Sequence, residues 1–244
     1  MSASERLLDV LESFDYEHRA LTVGEIAERV GQPQSSVYRS VKVLRDSGFI
    51  DAGEDGVYRL QPKLLRLAAI VRADNDLLRV ARGPMQRLTQ VTGETTLLAV
   101  RTDRWAVCLD SVSSGRPIAI SAPQGKLFPL HAGATSRVLF AAMPETERRA
   151  YYAQGELEPF LGATTDPAAL EEQLAVVRDR RYDLTSNQFD PGLYACAVPI
   201  TDVEGGVVAS LSVVGVSESA PSDDAAESLL SALREAALTI QESL

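Results

Sequence analysis

The sequence predicts a two-domain protein of the α/β class, and three features of the chain carry this prediction. The chain has 244 residues, a length that suggests one or two domains. Its first 60 residues contain the periodicities of three short helices followed by a hairpin. The remainder alternates strand-like and helix-like segments, a pattern typical of a sheet with helices packed on it. No run of about 18 apolar residues exists, so no membrane span is expected.

The first two predicted helices have recognisable starts and ends. Apolar residues recur at helical spacing in the first segment: Leu7, Leu8, Leu11 and Phe14. They predict a helix over about residues 4–14. Thr22 precedes Glu25 by three residues, which is the reciprocal capping pattern of a helix start. Gly31 is placed to end this second helix in a left-handed conformation.

A third helix and a hairpin complete the first unit. Pro33 fits the first turn of the helix, where its missing N–H costs nothing, and Gly48 ends the helix. Residues 49–60 hold two short apolar runs around Asp55-Gly56, a pairing typical of a hairpin turn. Three helices and a hairpin in this order predict a winged helix-turn-helix unit.

The third helix has one apolar side and one polar side. Steps of 100° per residue place the apolar residues on the side that faces the first two helices: Val37, Val41 and Leu44. The opposite side collects Gln34, Ser35, Tyr38, Arg39, Lys42 and Arg45. These groups suit a major groove, because Arg makes a bidentate contact to guanine and Gln to adenine. The alternative is an ordinary solvated face, which the capped helix before it and the hairpin after it disfavour.

The DNA-contact candidates divide into two groups. The candidates for base contacts are Gln34, Tyr38 and Arg39. The candidates for phosphate contacts are Ser35, Ser36, Lys42 and Arg45, with Arg59 at the wing. Ser35 and Ser36 belong to the first turn of the helix, whose backbone N–H groups suit a phosphate.

The charge of the chain is unevenly distributed. The formal net charge is -10, of which residues 1–60 contribute -4, residues 61–100 contribute +3 and residues 101–244 contribute -9. The acidic C-terminal part argues against a protein that coats nucleic acid. It permits a small DNA-reading module, which needs only a local basic face. The N-terminus lacks an apolar signal sequence, so we expect a cytoplasmic, bacterial protein.

The second part of the chain predicts a sheet covered by helices. Residues 63–94 read as one or two helices with a basic content, either a solvated face or a connector near the DNA backbone. The predicted strands cover residues 95–101, 105–112, 117–123, 193–200 and 207–215. The predicted helices cover residues 134–143, a segment that Asp166 caps, and a final segment from residue 222.

One helix start in this part is a candidate ligand site. The helix begins near Gly133, so the N–H groups of the first turn are unpaired and suit a carboxylate. The alternative is a structural helix start whose N–H groups are satisfied by Thr135, Ser136 or water. Strand alternation places Ser210 and Ser212 on one face, either as solvated edge residues or as hydroxyl donors to a ligand.

Motifs for catalysis, metals and cofactors are missing from the sequence. Cys108 and Cys196 form no CxxC pair, and His18 and His131 are equally isolated. A Cys nucleophile with His131 as base is conceivable, but a buried structural thiol explains each cysteine better. No GxxxxGK[ST], HExxH or GxSxG occurs. We therefore assign no catalytic residue, no metal ligand and no cofactor.

Several stretches together resemble one protein family. They are "LTVGEIAERVGQPQSSVYRSVKVLRDSGFIDAGEDGVYRLQPKLLRL", "ETTLLAVRTDRWAVCLDSV", "FPLHAGATSRVLFAAMP" and "RRYDLTSNQFDPGLYACAVPITDVEGGVVASLSVVG". In order and spacing they resemble the IclR-type bacterial transcriptional regulators over almost the entire chain. The resemblance implies a winged helix-turn-helix domain over residues 1–61, a linker helix over 62–76 and a GAF-like effector domain over 77–244.

The resemblance also implies an effector pocket at the start of the helix after Gly133. Carried over, the pocket comprises Gly133, Ala134, Thr135, Ser136, Tyr194, Cys196, Ser210 and Ser212. The chain departs from the family at Thr135-Ser136-Arg137, where Ser-Gly-Lys is frequent, and at Gln188, where Glu is frequent. A neutral amide at Gln188 removes a repulsion for anions, which agrees with the small organic acids that the family senses. Five aromatic residues could either line the pocket or pack in the core: Trp105, Phe128, Tyr182, Phe189 and Tyr194.

The resulting prediction is a one-component transcriptional regulator without enzymatic activity. Two winged helices of a dimer, or of a dimer of dimers, read an inverted-repeat operator in double-stranded DNA. A small carboxylic acid, aromatic or aliphatic, controls the binding. The alternatives are a C-terminal domain that only oligomerises and, further from the observations, a small-molecule enzyme.

Overall fold

The structure is a computed structural model that describes residues 2–53, 56–116, 120–160, 162–220 and 223–244. The chain divides into two units, Met1–Asn75 and Asp76–Leu244. The first contains helices with a small sheet and the second a larger sheet with helices, so the predicted two-domain α/β class is confirmed. The finer boundaries at residues 61 and 76 stay a prediction. Within the described ranges, no helix is long and apolar enough to cross a membrane.

Among its described residues, the first unit contains four helices and three short strands. They are α1 (Ala3–Glu12), β1 (Ala20–Leu21), α2 (Val23–Val30), α3 (Gln34–Asp46), β2 (Ile50–Ala52), β3 (Tyr58–Leu60) and α4 (Lys63–Ala73). The strands pair antiparallel in the order β1-β3-β2. The predicted hairpin is therefore present as β2 and β3, although Glu54 and Asp55 of its predicted turn lie outside the described residues.

Local capping fixes the ends of α2 and α3. The backbone N–H of Thr22 donates to Glu25 Oε2 at 2.7 Å, and the N–H of Glu25 donates to Thr22 Oγ1 at 3.3 Å. Gly31 has a φ of +62° and ends α2 as predicted. Gly48, with a φ of +73°, donates its N–H to Arg45 O and follows α3. Pro33 differs slightly from the prediction, since it lies just before the helix rather than in its first turn.

Three helices bury a common core in the first unit. Val37, Val41 and Leu44 of α3 are buried, as the periodicity predicts. In α1 the buried position is Val10, whereas Leu8 is 53% exposed. The predicted stripe was wrong at this point, because the positions 7, 10, 11 and 14 follow the helical repeat and position 8 lies beside it.

The capping box of α2 is expected to stabilise the first unit. We expect Thr22→Ala to lower the free energy of unfolding by about 0.5–2 kcal/mol, because the N–H of Glu25 loses its side-chain acceptor. Thr22→Ser is the matched control, since it keeps the hydroxyl. Urea denaturation of the three proteins measures the difference. Equal midpoints for Thr22→Ala and Thr22→Ser would contradict the role of the cap.

The second unit is built on one antiparallel sheet. Its elements are α5 (Asp76–Thr92), β4 (Thr95–Thr102), β5 (Trp105–Val112), β6 (Leu127–Pro129), α6 (Ala134–Ala142), α7 (Glu145–Tyr152), α8 (Pro167–Arg180), β7 (Asp183–Ser186), β8 (Leu193–Thr201), β9 (Val207–Val216) and α9 (Asp223–Gln241). The strand order is β6-β5-β4-β9-β8-β7. The strand predicted over residues 117–123 is not found at 120–123, and residues 117–119 lie outside the described ranges.

Helices cover both faces of this sheet. On one face, α6 and α8 pack over a core that includes Leu97 and Ala197. On the other face, α5 and α9 pack over a core that includes Leu98 and Val198. Neighbouring residues along a strand therefore belong to different cores, as the two-residue period of a strand requires. This alternation decides which predicted site residues can meet.

Candidate DNA-binding and ligand-binding sites

The polar residues of α3 share one exposed face. Gln34, Ser35, Tyr38, Arg39, Lys42 and Arg45 are exposed, and Ser36 is half-buried. Tyr38 is 58% exposed, so its ring and hydroxyl are accessible on this face. Arg45 Nη2 lies 3.5 Å from Asp46 Oδ1, at the end of the same helix. The structure thus brings together all the candidates that the sequence placed on this helix.

The start of α3 offers free hydrogen-bond donors. Pro33 has no side-chain acceptor, so the helix lacks a side-chain cap. The N–H of Ser36 donates to Pro33 O at 2.9 Å, whereas the N–H groups of Gln34 and Ser35 have no acceptor among the described residues. Donors at the positive end of a helix suit a phosphate group.

The cationic side chains on α3 and the wing differ in their surroundings. Within the described ranges, no ion pair holds Arg39 or Lys42. Arg59 is exposed on β3, the central strand of the small sheet, opposite Ala20 and Asp51. Arg39 and Lys42 can therefore meet a polyanion without first breaking an ion pair.

A cavity of about 70 Å³ lies at the start of α6. Six of the predicted effector residues line it: Gly133, Ala134, Thr135, Ser136, Gln188 and Tyr194. Apolar side chains form much of the remaining wall, including Leu97, Phe128, Phe189 and Val214. The Phe128 and Phe189 rings are in edge-to-face contact with centroids 5.4 Å apart. Of the five aromatic residues considered from the sequence, Phe128, Phe189 and Tyr194 border the cavity.

The backbone at the start of α6 is arranged by a glycine and a threonine. Gly133 has a φ of +78° and a ψ of 146°, close to a region that only glycine adopts readily. The N–H of Ala134 donates to Thr185 Oγ1 at 3.0 Å. The N–H groups of Thr135 and Ser136 have no acceptor among the described residues. Two donors at the positive end of a helix thus remain available beside the cavity.

Three predicted effector residues do not line the cavity. Ser210 and Ser212 are fully buried in β9, so the alternative of solvated edge serines was wrong. The Thr135 hydroxyl donates to Ser212 Oγ at 2.8 Å, which ties the helix start to the sheet. Cys196 belongs to the core under α5 and α9, on the opposite face of the sheet. Because side chains alternate along β8, Cys196 cannot share a face with Ala195, which borders the cavity.

Tyr194 lies two residues before Cys196 on β8, so its side chain starts from the same face of the sheet as that of Cys196. It borders the cavity, yet its ring packs over Gly215, where an added Cβ would overlap the ring. Burial raises the pKa of its hydroxyl to about 12, so the phenol stays protonated. We therefore place Tyr194 at the margin of the site and leave Cys196 out of it.

Sequence reasoning missed the only lysine that lines the cavity in the described part of the chain. Lys126 Nζ lies 5.5 Å and 5.4 Å from the ring centroids of Phe128 and Phe189, and 4.0 Å from Asp190 Oδ2. Thr185, which binds the N–H of Ala134, was also missed. No local motif marks either residue, since each contacts residues of the site that lie far away in sequence.

A buried ion pair lies next to the cavity. Arg137 is 5% exposed, and its Nε lies 3.1 Å from Asp183 Oδ2, although the angle between the groups falls short of a hydrogen bond. Arg137 Nη1 donates to Gln188 Oε1 at 2.9 Å. Burial raises the pKa of Asp183, and the Arg137 charge opposes this rise.

Arg137 determines which end of the Gln188 amide is left free for other partners. A guanidinium has donors and no acceptor, so the amide oxygen of Gln188 must face Arg137. The amide nitrogen then points elsewhere, and it donates to no acceptor within the described residues. Since Gln188 lines the cavity, the site gains another donor.

Neither cysteine has the properties of a nucleophile. Burial raises the pKa of the Cys108 thiol to about 12, and it does the same for Cys196. Both thiols are thus protonated near neutral pH. His131 contacts Tyr151 Oη through Nδ1 and the carbonyl oxygen of Glu158 through Nε2, each at 2.9 Å, and burial lowers its pKa. Both ring nitrogens are therefore used in packing this loop.

A helix-turn-helix unit with a polar, cationic outer face, joined to an α/β unit with a small cavity, defines a class of protein. It is the class of DNA-binding transcriptional regulators. Comparison with known proteins identifies the family. The IclR helix-turn-helix domain matches residues 3–52, and the domain described as bacterial transcriptional regulator IclR C-terminal matches residues 69–242.

Sequence relatives and solved structures agree with these matches. The HTH-type transcriptional regulator XynR of Escherichia coli (strain K12) is 32% identical over 212 residues, which cover 86% of this chain and 84% of that protein. The HTH-type transcriptional regulator BhcR of Paracoccus denitrificans (strain Pd 1222) is 30% identical, with 87% of this chain and 77% of that protein covered.

Two solved structures extend the likeness over both units. An IclR homolog from Microbacterium hydrocarbonoxydans, complexed with 4-hydroxybenzoate, is 30% identical with a TM-score of 0.79, covering 100% of this chain and 99% of that chain. A putative IclR transcriptional regulator from Silicibacter sp. TM1040 is 25% identical with a TM-score of 0.87, covering 99% and 95%. The chain belongs to the IclR family of bacterial transcriptional regulators, as the sequence resemblance predicted.

Proposed function

We propose that the protein is a one-component regulator that binds an inverted-repeat operator through α3. A small carboxylic acid raises or lowers its affinity for this operator. The exposed polar face of α3 is the observation that carries the proposal. It combines donors of the types that read base edges with two cations that no described residue neutralises. Such a protein works in the cytoplasm, where the DNA is.

The roles on the DNA follow from position along α3. Gln34, Tyr38 and Arg39 face the bases in the major groove. Ser35 and Ser36 at the helix start, together with Lys42, Arg45 and the wing residue Arg59, contact phosphates. The uncapped N–H groups after Pro33 support the phosphate role of the helix start.

The chemistry of the cavity supports a carboxylic acid as effector. The N–H groups of Thr135 and Ser136, the Gln188 amide nitrogen and the Lys126 ammonium are all donors. The apolar wall around Phe128 and Phe189 suits the hydrocarbon part of a small acid. The Microbacterium hydrocarbonoxydans homolog complexed with 4-hydroxybenzoate supports an aromatic acid in particular.

Self-association through α4 would supply the two-fold symmetry of the operator. No residue of α4 is buried in the single chain. Four of its apolar side chains are between 41% and 70% exposed: Leu65, Leu67, Ile70 and Val71. At 100° per residue Leu67, Ile70 and Val71 share one side of the helix, and an exposed apolar side is typical of an interface with another chain. A dimer, or a dimer of dimers, would place two α3 helices on successive major grooves.

Fluorescence anisotropy on the DNA flanking the gene tests the DNA-binding half of the proposal. We expect binding that survives nonspecific competitor and weakens steeply with salt, because phosphate contacts release counterions. A genome-wide binding selection decides the matter if the flanking DNA is not bound. An empty selection would reject the operator-reading role.

Lys126 is expected to contribute to the affinity of the cavity for an acid. We expect Lys126→Met to weaken binding of the acid that most stabilises the wild-type protein by about tenfold, since a charged donor to the carboxylate is lost. Lys126→Arg, which keeps the charge, should retain most of the affinity. Thermal shift with a panel of small acids and calorimetric titration provide the measurements. A panel in which no acid raises the melting temperature would favour a C-terminal unit that only oligomerises.

A further inference from the structure

We propose that the second unit holds another ligand site, for a small amphipathic anion, at the opposite end of α6. A cavity of about 370 Å³ lies between the last turns of α6 and α8 and the turn that joins β8 to β9. This volume is within the range of small-molecule sites. It shares no lining residue with the cavity at Gly133, so it is a separate site on the same helix.

The floor of this second cavity is apolar and well packed. Val138 and Ala141 of α6, Met143 after it and Val177 of α8 all line the cavity and are buried. Pro199 and Val207 of the neighbouring strands complete the apolar part. A ligand therefore gains most of its contact area here from a hydrocarbon body.

The rim of the second cavity is cationic. Arg178 and Arg181 line it, and both are exposed. In the part of the chain that the structure describes, neither guanidinium forms an ion pair or a side-chain hydrogen bond. Both guanidinium groups are therefore available at the rim of the cavity. They fit a carboxylate, sulfonate or phosphate head group, which accepts bidentate hydrogen bonds from arginine.

Glu171 of α8, whose ionised form Arg178 favours, already has other partners. Glu171 accepts from Arg148 Nε at 2.7 Å, from Arg148 Nη2 at 2.9 Å and from the Tyr152 hydroxyl at 2.9 Å. Both of its carboxylate oxygens are thus occupied. Arg178 still favours the ionised form of Glu171 from a distance, but no carboxylate among the described residues pairs with it directly.

Arg181 occupies a backbone position that normally selects glycine. It follows the last residue of α8 with a φ of 57° and a ψ of 33°, and its N–H donates to Val177 O. Left-handed caps of this kind usually carry Gly, because a Cβ is strained there. The chain therefore keeps an arginine side chain at the rim against the local backbone preference, which supports a role for the guanidinium itself.

Fluorescence titration with 8-anilinonaphthalene-1-sulfonate, a probe with an apolar body and one anionic group, tests this site on the full chain. We expect saturable binding to the wild type and at least tenfold weaker binding to Arg178→Ala and to Arg181→Gly. Arg181→Gly is the sharper variant, because glycine adopts the required φ without strain and the fold is kept. Arg180→Ala is the matched control, since Arg180 is an equally exposed neighbour outside the cavity lining, and it should bind the probe like the wild type.

Each result of the titration either supports the proposed site or overturns it. Loss of binding in both rim variants with an unchanged Arg180→Ala supports the site. Equal affinities in all four proteins would place the probe elsewhere and overturn the proposal. A wild type that does not bind the probe, or an equal loss in Arg180→Ala, would overturn it as well. No DNA and no acid effector enter the titration, so its result does not depend on the proposed regulatory function.

Discussion

The Arg39→Ala variant is expected to lose roughly tenfold to a hundredfold of the preference for operator over nonspecific DNA. Arg39 is exposed in the middle of the polar face of α3, with no ion pair among the described residues. A bidentate contact to one guanine contributes discrimination of about 1–3 kcal/mol. Removing it lowers the affinity for the operator while nonspecific binding, which depends on phosphates, changes much less. Anisotropy titrations with operator and scrambled duplexes at one salt concentration give the ratio.

Lys42→Ala is the matched control for this prediction. Lys42 is also exposed on α3, but as a point charge it is assigned to a phosphate. Its loss should weaken binding to both duplexes alike and reduce the slope of log affinity against log salt concentration by about 0.9. If Arg39→Ala behaves like Lys42→Ala, then Arg39 contacts a phosphate and another residue of α3 reads the bases.

The first unit was predictable from the sequence because its signals are local. The Thr22–Glu25 box, Gly31 and Gly48 each act within a few residues, and each ends or begins a helix in the structure. The polar face of α3 followed from helical geometry alone. Two exceptions remain. Pro33 precedes α3 rather than opening it, and in α1 the adjacent leucines made position 8 look equivalent to position 7.

The ligand cavity was predictable only in part. The start of α6 was found, since a glycine before an apolar helix is visible in the sequence. Lys126 and Thr185 were missed because each meets residues far away in sequence, which no local pattern specifies. Thr185 accepts from the N–H of Ala134, and Lys126 lies close to Phe189 and Asp190. Cys196 was misplaced for a related reason. The period of a strand tells which residues share a face, but the fold decides which face the cavity lies on.

The ion pair behind the cavity affects the hydrogen-bond donors of the proposed ligand site. Arg137 lies one residue after Ser136, so the helix whose first N–H groups border the cavity also carries the buried cation. This cation is held against Asp183 and orients Gln188. The donor character of the cavity therefore depends on a charge that does not line it.

Arg137→Met is expected to lower the free energy of unfolding by about 3–5 kcal/mol, the largest effect that we predict for a single substitution. Most of this cost arises because the carboxylate of Asp183 stays buried without a countercharge. The lost attraction between the two groups contributes less. Arg137→Met/Asp183→Leu is the control, because it replaces the pair by apolar groups and should recover most of the lost stability. Chemical denaturation of the wild type and the three variants of this cycle, including Asp183→Leu alone, measures the coupling.

The pH dependence of Arg137→Met gives a second test of the same cause. The pKa of Asp183 is already raised by burial in the wild type, and Arg137 opposes the rise. Without Arg137 the pKa of Asp183 should rise further, and the buried group should take up a proton more readily. A carboxyl whose pKa is raised on folding favours the folded state at low pH, and this contribution is lost as the pH rises through the folded-state pKa. The deficit of Arg137→Met relative to the wild type should therefore shrink as the pH falls from neutral toward the ordinary range of a carboxyl group. A deficit that stays constant with pH, or a double variant as unstable as Arg137→Met, would show that Arg137 acts through packing and that Asp183 is not the source of the cost.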